Sequence, residues 1–436
     1  MANLSTSGII SSLRDRRGGI GIFTGRVPYV WLSNNYGNTG TYYAEVSGTP
    51  SVNAFQGGYS SDPNNQPSAT QLGLSPKLRS EIDLVDENLK MPQVLRFDLG
   101  VDHQLPYQFI GTVEFLYSKN INEMSYRLLN LNPQTGTLSD GRPVYGGTNS
   151  GNGNFYNILY LENTTKGYEY NISAQVQRNV IRGLSANVGY TFGRSYDING
   201  VTSSQANSQM AYNPISGSPN DPSVATSDWE IRNRIFASLT YAEEFIKNAP
   251  TSISIFYNGQ SGRPYSFIYY GDVNGDGFNQ NDLFYIPRDN SDIELGSLSN
   301  GVYTADPQMY ADFNSFVSNN DYLNSHRGQI AERNGSNNPW YHKVDMRIVQ
   351  DVPIIEHHRF QITLDILNIF NLLNSDWGWY QHTPYSTYTI VSLKGKDNAT
   401  GKNVYSFGKP DNNTPWSADN IISRWSMQLG IRYSFN

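Results

Sequence analysis

Along the last twelve residues before the final Asn436, from Arg424 to Phe435, polar and apolar side chains alternate without a break. Trp425, Met427, Leu429, Ile431, Tyr433 and Phe435 share one face, and Arg424, Ser426, Gln428, Gly430, Arg432 and Ser434 share the other. Successive side chains of an extended chain point to opposite sides, so the pattern predicts a β-strand with two chemically different faces. An apolar face with aromatics at both ends suits a transmembrane barrel strand, whose aromatic girdles lie at the two lipid interfaces.

The same period of two recurs upstream. It predicts strands over 20–32, 95–105, 109–117, 168–176, 184–192, 229–241, 251–268, 340–352 and 360–366, with weaker ones over 385–393 and 403–407, about twelve in all. The gaps between them alternate in length. Long gaps at 33–92, 120–156, 198–228 and 271–339 take turns with short ones near Pro106, Asn179 to Gly183, Glu243 to Pro250 and Pro353 to His358. Outer-membrane barrels have short periplasmic turns and longer extracellular loops, and they carry an even number of strands. Assigning the short gaps to the periplasm leaves the terminal strand running down to it. The expected fold is therefore all-β, an antiparallel transmembrane barrel over 20–436 after a leader of uncertain structure, 1–19. A soluble sandwich or propeller also alternates. Against it stand the one-sided long loops and the Arg, Asp and Glu in mid-strand, which a wet lumen tolerates and a dry core does not.

Composition sharpens this. Among the 436 residues, 38% are hydrophobic and the mean hydropathy is -0.52, yet 31 Tyr, 19 Phe and 7 Trp argue against disorder. No apolar run exceeds four residues, whereas a spanning helix needs roughly 18; any membrane crossing falls to strands. A net charge of -7 argues against a nucleic-acid partner, which demands clustered Lys and Arg. Cysteine is absent, which removes disulfides, thiolate catalysis and Cys-held metals. Residues 1–19 carry Arg14, Arg16 and Arg17 but no apolar stretch of a signal peptide, so the expectation is a truncated chain.

Several segments resemble Oar-like TonB-dependent receptors of the Bacteroidota. They are Gly18 to Asn34, Asp272 to Gly277 with Asn281 to Pro287, Phe360 to Leu373, and Arg424 to Phe435. Their order matches the C-terminal half of that family's barrel. The resemblance implies an outer-membrane location, a barrel of about 22 strands filled by a plug domain, an extracellular ligand bound by loops and plug, and a TonB complex that pulls the plug. A signal peptide, a TonB box and a plug are not visible in this sequence. The expected role is thus the C-terminal barrel wall and part of the extracellular vestibule of such a receptor, reaching TonB only through a plug that this chain does not supply. Two alternatives stay open: a self-sufficient small outer-membrane pore, in which the first strand pairs with the last, and a surface adhesion or interaction protein.

One local motif carries metal-binding spacing. Asp272, Asn274 and Asp276 stand at positions 1, 3 and 5 of an EF-hand-type loop with Gly277 at 6, Phe278 offering its carbonyl at 7, and Asp282 at 11 in place of a Glu at 12. The expectation is a weak structural calcium site or, equally, a pair of Asx turns needing no ion; no other cofactor is expected. Catalysis finds little footing. His103, His326, His342, His357, His358 and His382 lack ligand spacing, and neither a Gly-x-Ser-x-Gly elbow nor a phosphate loop occurs. Glu169, Arg232, Arg234, Lys343, Asp345, Arg347 and Asp365 are expected to pair with one another across the lumen wall. The aromatic stretches 265–270, 377–380 and 385–388 are read as outer girdle or as stacking surfaces for a ligand.

Overall fold

A computed structural model of the chain describes residues 14–39, 61–66, 68, 80–149, 155–181, 183–355, 358–410 and 413–435. Most of the expected leader, much of the expected loop 33–92 and His357 lie outside the described residues.

Ten strands form one antiparallel meander in which each pairs with the next: β1 (Arg14–Thr24), β2 (Gln93–Gln104), β3 (Phe109–Leu128), β4 (Tyr168–Ile181), β5 (Leu184–Asp197), β6 (Asn233–Ile246), β7 (Ala249–Gln260), β8 (Tyr341–Ile355), β9 (His358–Leu367) and β10 (Ser426–Phe435). Among the described pairings β1 meets only β2 and β10 only β9, so these two stand at the ends of the path.

Register shows why the alternation matters. Leu184, Tyr241, Ile253, Ile348, Leu364 and Leu429 are successive cross-strand partners from β5 to β10. One residue along, the row reads Ser185, Thr240, Ser254, Arg347, Asp365 and Gln428. The apolar rows are open to the surroundings, with Leu429 70% and Ile431 71% exposed, as a lipid-facing band must be. The polar rows bind one another: Arg347 pairs with Asp365 at 3.3 Å, Arg96 with Glu169 at 3.7 Å, Lys343 with Asp345 at 3.3 Å, and Arg17 with both Asp102 and Glu114. Arg234 donates to Asn258 instead (2.9 Å), and Arg232, just ahead of β6, pairs with Glu230 (3.1 Å). Aromatics close the band at each end. Phe360 and Tyr433 pack with ring centroids 5.1 Å apart near the short turns, and Trp340, His342 and Tyr257 stack at the opposite rim.

All four short turns lie at one end, and the connections 25–92, 129–167, 198–232, 261–340 and 368–425 rise from the other. Here the structure corrects several expectations. The first strand ends at Thr24; Pro28 interrupts it and residues Tyr29–Gly37 coil into a helix, burying Trp31 (1% exposed) against Tyr126 at 5.0 Å. The strand expected over 251–268 breaks at Gly262, where a Cβ would stand 2.3 Å from the Asn338 carbonyl oxygen. The residues after the break, Pro264–Tyr270, join a second sheet. The strand expected over 385–393 forms as Thr387–Lys396 and the one over 403–407 as Asn403–Phe407, but Ser266 pairs in parallel with Thr387 and Glu294 with Val404, which places both in that second sheet and leaves ten strands rather than twelve in the wall among the described residues. The gap expected at 120–156 is partly strand: β3 continues to Leu128, and its upper end pairs with Phe155–Thr164.

The gap 271–339 is a folded unit. Asp306 caps the helix Pro307–Ser318 by accepting from the Gln308 and Met309 amides (3.0 Å each), with Pro307 in the first turn. That helix turns Phe313, Phe316 and Val317 into a core with Phe267, Phe284, Leu295 and Phe407. The loops therefore carry a hydrophobic core of their own above the wall.

Candidate functional site

Two features of this outer assembly concentrate polar chemistry. The first is a cavity of about 630 Å³ where the connections 198–232, 261–340 and 368–425 meet. It lies toward the polar face of the wall, because its Tyr380 meets Tyr341 edge-on at 5.4 Å and Tyr341 shares a face with Lys343 and Asp345. Trp229 is held there by its indole N–H, which donates to the Gly200 carbonyl (2.8 Å), and by the Arg263 guanidinium 4.9 Å from its ring centroid. Asp228 beside it accepts from the Asn334 side-chain amide (2.7 Å). Its other oxygen leans on Gly200, where a Cβ would stand 1.9 Å away and would push the Asp228 carboxylate aside. Burial pushes the Asp228 carboxyl up, with Arg333 and Arg263 drawing it back. His382 stacks on Tyr380 at 5.6 Å, and its buried Nδ1 has no partner. Tyr385 stands at the rim, 96% exposed with φ of 55°.

The second feature is the 272–282 turn. Asp272 accepts from the amides of Gly275 (2.6 Å), Asp276 (3.1 Å) and Gly277 (2.9 Å); Asn274 accepts from Asp276 (2.9 Å), and Asp276 from Phe278 (2.9 Å). These are Asx turns. Asp276 is fully buried and its Oδ2 is met by the side-chain amides of Asn281 (2.7 Å) and Asn274 (3.3 Å). Burial, reinforced by Asp282, pushes its carboxyl up to about 7. Asp282 does not turn into this knot alone: it accepts from the Val273 amide (2.9 Å) and pairs with the buried Arg142 at 2.8 Å. The side-chain oxygen of the fully buried Asn281 is left without a partner.

Of the aromatic stretch 265–270, Tyr265, Phe267 and Tyr269 are buried in the loop core rather than set in a girdle, while Tyr270 is half exposed. Tyr380 and Tyr385 do reach the cavity, while Trp377 and Trp379 stay exposed away from it. Trp229, Arg263, Asp228 and Arg142 carried no local signal of a site, since each acquires its role from a partner far along the chain.

A family model described as outer membrane beta barrel domain matches residues 16–387. Curated proteins give no match. Among solved structures, a double mutant of the ferric enterobactin receptor PfeA from Pseudomonas aeruginosa aligns at 10% identity and a TM-score of 0.39, covering 84% of this chain and 34% of that one. A single mutant of the same receptor in complex with enterobactin gives 9% and 0.39, with the same coverage. The siderophore receptor PirA from Acinetobacter baumannii gives 9% and 0.37, covering 85% and 36%. The chain thus spans about a third of the length of these receptors.

Proposed function

We propose that this chain, which belongs to the outer membrane beta barrel domain family, supplies the C-terminal barrel wall and part of the outer vestibule of a TonB-dependent receptor. The observation that carries this reading is the one-sided architecture. An outer-membrane wall needs only a lipid face, a wet face and short loops; here one rim bears folded connections with their own core, and a cavity opens among them toward the wet face. Segment-by-segment resemblance to Oar-like receptors supports the same reading. A plug and TonB would act through parts beyond this chain, and the ligand would enter from the loop side.

Growth on a panel of sole iron and carbon sources tests it. Cells lacking the gene are expected to lose growth on a source that cells lacking TonB also fail to use. If every source whose use requires the gene still supports growth of cells lacking TonB, the chain is a passive pore.

The 272–282 turn favours a second, smaller reading: a weak calcium site held by Asp272, Asn274, Asp276 and the Phe278 carbonyl. Its support is the unpartnered Asn281 oxygen beside the buried Asp276 carboxylate, which accepts from neutral amides and faces the carboxylates of Asp272 and Asp282. Lacking the Glu of a sensor loop, it belongs with extracellular modules of about 10⁻⁴–10⁻³ M affinity. Without the ion, the raised Asp276 carboxyl means the folded turn holds a proton that the unfolded chain releases near its ordinary value of 3.8, so in EDTA the turn should loosen as pH rises from 4 through 7. Hydrogen exchange across 272–282 at pH 8 is expected to slow in 5 mM calcium, and Asp276→Asn to remove both the calcium response and the pH slope. Equal exchange with calcium and with EDTA leaves the Asx turns as the whole account.

A further inference from the structure

We propose that the cavity beneath Trp229 and Tyr385 binds a neutral oligosaccharide; the proposal rests on the receptor reading and names the ligand class of its vestibule. The cavity's size, about 630 Å³, lies within the range of small-ligand sites. Its chemistry is what selects the ligand.

Trp229 is 55% exposed although its edge is hydrogen-bonded and one face is backed by a guanidinium. A large ring fixed on two sides and open on the third is a platform that loses little freedom when something stacks on it. Tyr385 adds a second open ring at the rim. The turn Pro384–Ser386, in which Tyr385 takes a left-handed φ of 55°, turns that ring out of the loop assembly, 96% exposed. Aromatic platforms of this kind match the C–H face of a pyranose, whose hydroxyls point sideways toward the walls. The walls there are polar and directional: Asp228, Gln280, Ser203 and the unpartnered His382 Nδ1.

Charge separates this ligand from the other plausible cargo. A ferric catecholate or a phosphate ester carries several negative charges and calls for clustered cations. Among the described residues the lining contains a single Arg and no Lys; that Arg263 is already spread over the Trp229 ring and draws on the Asp228 carboxyl. A cavity with one charge of each sign and two open aromatic faces suits a polyhydroxylated, uncharged ligand.

The test uses the full chain in outer-membrane vesicles from cells that express it. The probes are fluorescently labelled maltohexaose, cellohexaose, xylohexaose and mannohexaose, with ferric enterobactin and hexaglycine as competitors. At least one sugar is expected to bind saturably. Trp229→Ala should weaken it at least tenfold and Trp229→Phe only two- to threefold. Tyr385→Ala, at a residue too exposed to matter for folding, should weaken it at least threefold. The proposal falls if none of the four sugars binds, if both alanine variants bind as tightly as the unaltered chain, or if ferric enterobactin or hexaglycine displaces the bound sugar. The receptor reading is judged separately by TonB-dependent growth, so a chain that supports that growth and binds no sugar keeps the first reading and loses the second.

Discussion

Arg142→Ala is expected to open the loop assembly by about 3–5 kcal/mol while leaving the wall in place, the usual cost of removing one partner of a buried ion pair. Arg142 is 1% exposed and sits beside the small hairpin that pairs Gln134–Thr137 with Pro143–Tyr145. From there it crosses to a different connection. It reaches Asp282 at 2.8 Å, donates to the Leu283 carbonyl, meets Asp140 at 3.3 Å and covers the Tyr269 ring at 5.4 Å. Truncation would leave Asp282, also 1% exposed, as a buried carboxylate beside Asp272 and Asp276 without the cation that balances it. Burial already pushes that carboxyl up, and Arg142 is the first of the groups that hold it down. The double variant Arg142→Met with Asp282→Asn removes the charges of this pair and keeps an acceptor for the Val273 amide, so it should recover part of the loss, Asp140 being left without its cation. Hydrogen exchange reads both: protection over 264–286 should collapse in Arg142→Ala, return in part in the double variant, and stay constant over β6 and β7 throughout. Unchanged protection in Arg142→Ala would mean the pair contributes nothing to closing the loops.

That contact also marks the limit of what the sequence discloses. The wall was legible because its determinant is local. A side chain's face follows from parity alone, and β2 through β10 each contain the alternation that predicted them. Short turns were legible for the same reason, as gaps between alternating runs. Partner choice is not local. Residues 387–396 and 403–407 alternate well enough to be strands, yet nothing within them says that they pair with 266–270 and 294–295 rather than with the wall. Tyr29 to Leu32 prolongs the apolar reading of β1, and only Pro28 hints that the chain turns into a helix there, where Trp31 finds Tyr126 almost a hundred residues on. The 272–282 motif was visible because its spacing is local. The Arg142 that claims Asp282 was not, and neither was the cavity, whose Trp229, Arg263 and His382 come from three connections.

Leu429→Arg is expected to cost about 2–4 kcal/mol, the penalty for a cation near the middle of the lipid face of a barrel, whereas Gln428→Arg, one residue away, should be nearly neutral. Leu429 lies halfway between Trp425 and Tyr433 on the apolar face of β10 and opposite Leu364. Among the described residues of β9 and β10, that face carries no carboxylate to pair with a guanidinium. Gln428 lies opposite Asp365, which already takes Arg347 at 3.3 Å, so an arginine there would join an existing polar row. Folding yield in lipid vesicles, read from the mobility difference between heated and unheated protein, should drop steeply for the first variant and little for the second. The reverse order would invert the faces of β10 and, through the unbroken register from β5 to β10, of the wall with it. The lumen would then be dry, and a vestibule opening toward it would lead nowhere. The pair of variants therefore tests, at two adjacent residues, the premise on which any passage of ligand from the loops into the barrel depends.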